Sequence, residues 1–182
     1  MARGNGSVGL YDYTVQEGVN VALPRLINIT PTIVADDNAD NDVAFNWTKI
    51  EGACSEKGLA TMLQSVSILD ADDSAAPLEL VFCKGRDEVG TQPAGAQALG
   101  TASAAVDITG AEAQAVDLCG SIQMTLSEGD LINAQVITKT NIGLILQPGT
   151  GTDAIFVGGI WRGDPASTGA TDSMDIYFGF ED

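Results

Sequence analysis

SVSILDADDSAAPLELVFCKG, residues 65–85, sets two apolar runs around a cluster of Asp70, Asp72 and Asp73. Val66 and Ile68 alternate with Ser65 and Ser67, a period of two that reads as a half-buried strand. Leu78–Cys83, LELVFC, reads as a second strand. Between them DADDSAAP, residues 70–77, is made of turn formers and one Pro. The stretch predicts a hairpin with a solvent-exposed loop over 70–77, longer than the tight two-residue types. Three carboxylates in one turn are not a pair facing each other across a cleft, which glycoside chemistry requires. Asp side chains also bond turn backbone, which accounts for them without chemistry.

The same pattern spreads outward. Strands are predicted at Val19–Ile29, Thr32–Ala35, Val43–Thr48, Leu59–Leu69, Ser121–Ser127, Ile132–Thr138, Asn141–Gln147, Ala154–Trp161 and Met174–Phe180, besides Leu78–Cys83. Pro24 removes a ladder donor, so the first of these belongs at an edge or bends. Residues 85–108 are a Gly- and Ala-rich excursion with weak patterning. Thr109 and Glu112 have capping-box spacing ahead of good helix formers, which predicts one short helix near 110–118. Many short strands with turns between them predict a mainly β chain: a single antiparallel β-sandwich, jelly-roll-like, over residues 20–182. Residues 1–19, with four Gly and mixed polarity, read as an extended N-terminal arm.

Composition narrows the chemistry. The 182 residues suit one domain with a real core. Eight Lys and Arg stand against 25 Asp and Glu, a formal charge of −17, which disfavours nucleic acid. No apolar run is long enough for a membrane span. MARGNGSVGL has one Arg and no apolar core, so it does not read as a secretory signal. The chain contains no His, which removes the commonest general base and metal ligand. Cys54, Cys83 and Cys119 form no CxxC pair and read as reduced, mostly buried side chains.

Formal motifs carry little. GNGSVG at 4–9 and GTGTDA at 149–154 match dinucleotide-loop spacing, but neither opens a helical pattern. They read as a flexible arm and a Gly-rich turn, and no cofactor is expected. DDNADND, 36–42, places Asp36, Asn38 and Asp40 at the first, third and fifth positions of an EF-hand loop. Asn41 stands where the bend needs Gly, and Trp47 where a bidentate Glu belongs. Only a looser calcium loop through Asp36, Asn38 and Asp40 is left open. The sequons at Asn28 and Asn46 carry no argument without an export signal. Trp47, Trp161 and Tyr177 could form a sugar-stacking platform, but only ten aromatics serve the whole core.

SVSILDADDSAAPLELVFC and the later NIGLILQPGTGTDAIFVGGIWRGDP resemble virion structural proteins of tailed phages of marine bacteria and cyanobacteria. The resemblance covers roughly residues 60–165 and rests on strands and turns rather than on a catalytic motif. It implies a non-enzymatic capsid cement or decoration protein, carried in the virion after synthesis in the host cytoplasm. Its implied partners are a major capsid protein or another virion protein, and copies of itself as a trimer or dimer. Leu10, Tyr11, Tyr13 and Val15 in the arm are the candidate interface residues, because Tyr11, Tyr13 and Val15 fall on one face of an extended chain. The alternatives are a carbohydrate-binding or tail-fibre-like β-sandwich module, and a glycan-active enzyme of jelly-roll type.

Overall fold

The computed structural model describes residues 24–33, 39–71, 76–125, 130–131, 134–165 and 172–181. Within them the chain forms ten strands and one α-helix in two antiparallel sheets. The strands are β1 (Arg25–Ile29), β2 (Thr32–Ile33), β3 (Val43–Ile50), β4 (Thr61–Asp70) and β5 (Leu78–Cys83), then β6 (Leu118–Met124), β7 (Asp130–Leu131), β8 (Ala134–Leu146), β9 (Ile155–Trp161) and β10 (Asp172–Glu181). The six-stranded sheet runs β1-β10-β4-β8-β7, with β2 also on β10. The four-stranded sheet runs β3-β9-β5-β6.

The main core lies between the sheets, as in a β-sandwich. Leu63, Val66, Ile68, Met174, Ile176, Phe178 and Phe180 come from one sheet; Phe45, Leu78, Leu80, Phe82, Val157 and Trp161 come from the other. Phe82 meets Phe178 edge-on across the gap, with ring centroids 6.0 Å apart, and Phe178 stacks on Phe180 at 6.2 Å. Met174, Ile176, Phe178 and Phe180 of β10 point inward and are apolar, and the period of two does the sorting.

Residues 65–85 do not form a hairpin. β4 pairs with β10 and β8, whereas β5 pairs with β6 and β9 in the opposite sheet. The connection therefore crosses the sandwich. Asp70 is not in an exposed turn: it closes β4, opposite Met174 and Gln135, and is 0% exposed. Ala76 is buried too, and Pro77 O accepts from the Arg162 N–H at 2.7 Å, tying the connection to the end of β9. Asp72 and Asp73 lie outside the described residues.

The two predicted strands at 132–138 and 141–147 are one strand. β8 runs through Lys139 and Thr140, and a bulge takes up the extra residues: Ser65 pairs with Thr140 but Leu63 pairs with Leu144. Asn141 and Gly143 sit at φ +56° and +66°, conformations that Asn and Gly tolerate. The chain bends there and keeps its ladder. β1 is an edge strand, and it starts after Pro24 rather than running through it.

The excursion after β5 forms a third layer. Leu99, Val106, Ile108 and Val116 pack with Val43, Trp47, Val81, Cys83, Phe156 and Ile160 on the outer face of the four-stranded sheet. The layer holds a 3-10 turn at Gly95–Gln97 and the helix α1 (Gly110–Ala115). α1 begins with the expected capping box: the Thr109 hydroxyl accepts from the Glu112 N–H, and the Glu112 carboxylate accepts from the Thr109 N–H. Polar anchors pin the layer. Trp47 Nε1 donates to Gln97 O at 2.8 Å, and Asn46 Nδ2 donates to Gly100 O at 2.8 Å. Covered on both faces, β9 is buried from end to end.

Candidate interaction surfaces

Two outer surfaces of the sandwich differ sharply. The third layer does not cover all of the four-stranded sheet. It leaves a groove of about 430 Å³ walled by Val81, Leu99, Ile108, Leu118 and Ile160. Leu118, 43% exposed, stands at its rim on the edge strand β6. Cys119 also lines it, as the extra residue of a bulge where Phe82 pairs with Gly120 and Cys83 with Leu118.

Glu79 supplies the groove's charge and is fully engaged. Its Oε2 accepts from Arg162 Nε at 2.7 Å and lies 2.6 Å from Nη2. Arg162 also reaches Asn41 Oδ1. Burial works against the charge of Glu79. Hydrogen bonds from Ser121 and Arg162, with the guanidinium charge, overcome it and hold the carboxyl below the ordinary value of 4.5. Asp87, held down by the Thr91 N–H, Glu88, by Lys84, and Glu112, by the Thr109 N–H, shift in the same direction.

A pH dependence follows. A carboxyl whose folded pKa is depressed contributes stability above its unfolded pKa and loses it as pH falls through the folded value. Without His, no side chain of ordinary pKa titrates between pH 6 and 8. Thermal melts should therefore be flat from about pH 6 to 8 and fall below about pH 4.5. Glu79→Gln should cost about 1 kcal/mol at pH 7, after allowance for solvent screening. The difference between the two proteins should narrow steadily as pH falls below about 4.5. A gap that is independent of pH would contradict the charge-based origin.

The six-stranded sheet has a bare outer face among the described residues. Register places its side chains in rows across the strands. One row is Leu26, Gly179, Ser65 and Thr140; the next is Asn28, Tyr177, Ser67 and Thr138. A third sets Asp175, Leu69 and Val136 side by side, and a fourth Glu181, Met62 and Ile145. Leu26, Val136 and Ile145 are 72%, 47% and 65% exposed. Asp175 and Glu181 are the charged groups in these rows, and each bonds a neutral neighbour. Thr30 Oγ1 donates to Asp175 at 2.5 Å, and Gln64 Nε2 donates to Glu181 at 2.8 Å. Ser67 and Thr138 hydroxyls bond each other at 2.8 Å.

The sequence candidates fall elsewhere. Leu10, Tyr11, Tyr13 and Val15 lie outside the described residues, as do Asp36 and Asn38. Asp40 is exposed, and its backbone N–H donates to Asp164 Oδ1 at 3.2 Å. Among the described residues no group of three or more Cys, Asp and Glu could hold a metal ion. Trp47 and Trp161 are buried, one in each core cluster, and Tyr177 stands apart on the bare sheet face, so they form no sugar platform. GTGTDA is a turn between β8 and β9, with Gly149 and Gly151 packed on the backbone of Glu88 and Val89. Cys54 and Cys83 are buried, Cys119 is half-buried, and none of the three is in a disulfide. Burial pushes the Cys83 and Cys119 thiols up, away from the reactive thiolate. Among the described residues no helix is long and apolar enough to cross a membrane.

No protein-family profile matches the chain, and no curated protein does. Solved structures do. The X-ray structure of the Triatoma virus empty capsid aligns over 88% of this chain and 88% of that one, at 12% identity and a TM-score of 0.39. Tomato aspermy virus aligns over 88% and 78%, at 8% identity and 0.35. Rhinovirus-B5 aligns over 98% and 78%, at 13% identity and 0.35.

The groove and the bare face were not among the sequence candidates. The face left one signal: Ser65, Ser67 and Leu69 share a parity on β4, and the matching positions Thr138 and Val136 on β8 are just as poor in charge. The groove left none, because its walls come from four separate segments of chain.

Proposed function

We propose that this chain is a non-enzymatic structural protein of a virus particle, a cement or decoration protein that binds the assembled capsid. The observation that carries the reading is how its described polar groups are used. Glu79 is committed to Ser121 and Arg162, Asp175 to Thr30, and Glu181 to Gln64. Asp42 accepts from the Ala39 N–H and Asp87 from the Thr91 N–H. These carboxylates hold loops and strands together, and what they leave is broad surface. The resemblance of residues 60–165 to phage virion proteins points the same way.

Such a protein works by linkage. It binds the assembled lattice and not the dispersed subunits, so its binding free energy adds to particle stability: about 2.7 kcal/mol per site at a free concentration 100 times Kd. Acidic surface keeps the free protein soluble until it docks. The arm residues Leu10, Tyr11, Tyr13 and Val15 are assigned the particle contact. The alternation of Tyr11, Tyr13 and Val15 suits an extended segment laid on a neighbour's sheet or groove.

Deleting residues 1–16 tests this. The soluble protein should melt within about 2 °C of the full chain, a shift of no more than ~1 kcal/mol. Its occupancy on purified capsids should fall at least tenfold, and the capsids' own melting temperature should drop with it. A truncated chain that decorates normally, or one that no longer folds, would remove the arm from this role.

A further inference from the structure

We propose that the outer face of the six-stranded sheet is the surface through which two copies of this chain bind each other.

Charge comes first. The chain carries −17, so two copies repel at most approaches. The rows on this face hold two carboxylates, Asp175 and Glu181, each bonded to a neutral partner. The rest is Ser, Thr, Asn and Gly around Leu26, Met62, Leu69, Val136, Ile145 and Tyr177. Depletion of charge with retained apolar and aromatic groups marks the core of an interface. A copy meeting this face with its own like face brings the least charge into contact.

Area decides whether that contact suffices. β4 has ten residues and β10 ten, β8 passes alongside, and β1 closes the edge. Strands of about eight residues at ~3.3 Å, set ~4.8 Å apart across four strands, give roughly 500 Å² in projection. Two copies then bury ~1,000 Å² or more once side-chain relief is counted, the lower bound for a specific interface. Two sheet faces pack about 10 Å apart with their side chains interleaved, and the Ser, Thr and Gly positions in these rows leave room between the larger Leu26, Tyr177, Met62 and Ile145. The opposite sheet offers no equivalent, because the Leu99–Val116 layer covers much of it.

Sedimentation velocity of the full chain tests the assignment, with Val136→Asp and Ile145→Asp as variants. Both positions are exposed, so the fold should survive, which a thermal melt of each variant verifies. The wild type should self-associate, more tightly in about 500 mM salt than in 50 mM, because screening relieves the −17 repulsion. Each Asp appears twice across a two-fold axis, so either variant should weaken association at least tenfold. Val89→Asp, on the exposed turn after β5, should change nothing. A wild-type protein that stays monomeric up to about 100 µM at both salt concentrations would overturn the proposal, whether residues 1–23 or a different partner then cover the face. An oligomer that neither variant weakens, or one that salt dissociates, would overturn it as well.

Discussion

Phe178→Ala should remove about 3–5 kcal/mol, because it deletes a fully buried ring from a core that can relax only in part. Phe178 is the point where the sheets lock. It lies edge-on to Phe82 of the opposite sheet and stacks on Phe180 of its own strand. Aromatic geometry of this kind is worth ~0.5–1.5 kcal/mol beyond area. Against a total stability of roughly 5–15 kcal/mol, the loss is a large share. For a chain of this length it should lower the melting temperature by about 6–20 °C. Tyr177→Ala, one residue earlier on the outer face, should cost under ~1 kcal/mol. The contrast tests strand parity directly. Equal losses at 177 and 178 would mean that β10 does not present its faces as described.

The second large effect is at the third layer. Gly158 lies on β9 where a Cβ would come within 2.2 Å of Leu99 Cδ1 and 3.4 Å of Trp47. Its neighbour Gly159 leaves room for the Phe45 ring on the opposite face, where a Cβ would sit 2.3 Å from Cε1. These two glycines let side chains lie flat on both sides of one strand. Gly158→Ala should push Leu99 off the sheet and cost about 1–3 kcal/mol by overpacking. Leu99→Ala alone should cost ~2–5 kcal/mol. Combined, they should cost clearly less than the sum, with a coupling of at least ~1 kcal/mol, because the shortened Leu99 leaves the space that the new methyl needs. Strict additivity in chemical denaturation would mean that residues 99 and 158 do not touch.

The strands were legible because their signal is local. Leu78–Cys83 was read to the residue, and the Thr109–Glu112 capping box marked the helix start, since each depends on neighbours in sequence. Pairing was not legible. Alternation tells which side chains share a face, but not which strand lies alongside, so Leu59–Leu69 and Leu78–Cys83 looked like hairpin partners. One cue pointed elsewhere. LELVFC is apolar at both parities near its end, as a strand covered on two faces should be. The third layer that covers it comes from residues 84–117, whose weak pattern hid a packing role for Leu99, Val106 and Ile108. Asp70 misled for a related reason: turn composition began within the strand, and its burial comes from pairing with β8 and β10, which the local sequence does not show. Asn141 gave the break in β8 the look of a turn, although its positive φ serves a bulge.

Of the two contact surfaces proposed, the arm rests on sequence alone, through the spacing of Tyr11, Tyr13 and Val15. The bare face needed the register of β1, β10, β4 and β8, which no single segment encodes.

The most direct measurement is the copy number of this chain in purified virus particles, by quantitative mass spectrometry against the major capsid protein. A cement or decoration protein should be present in many copies, at a fixed ratio that lattice symmetry allows, and should stay bound through density-gradient purification. A chain that is absent, or present only in trace and variable amounts that gradients remove, would contradict the structural role.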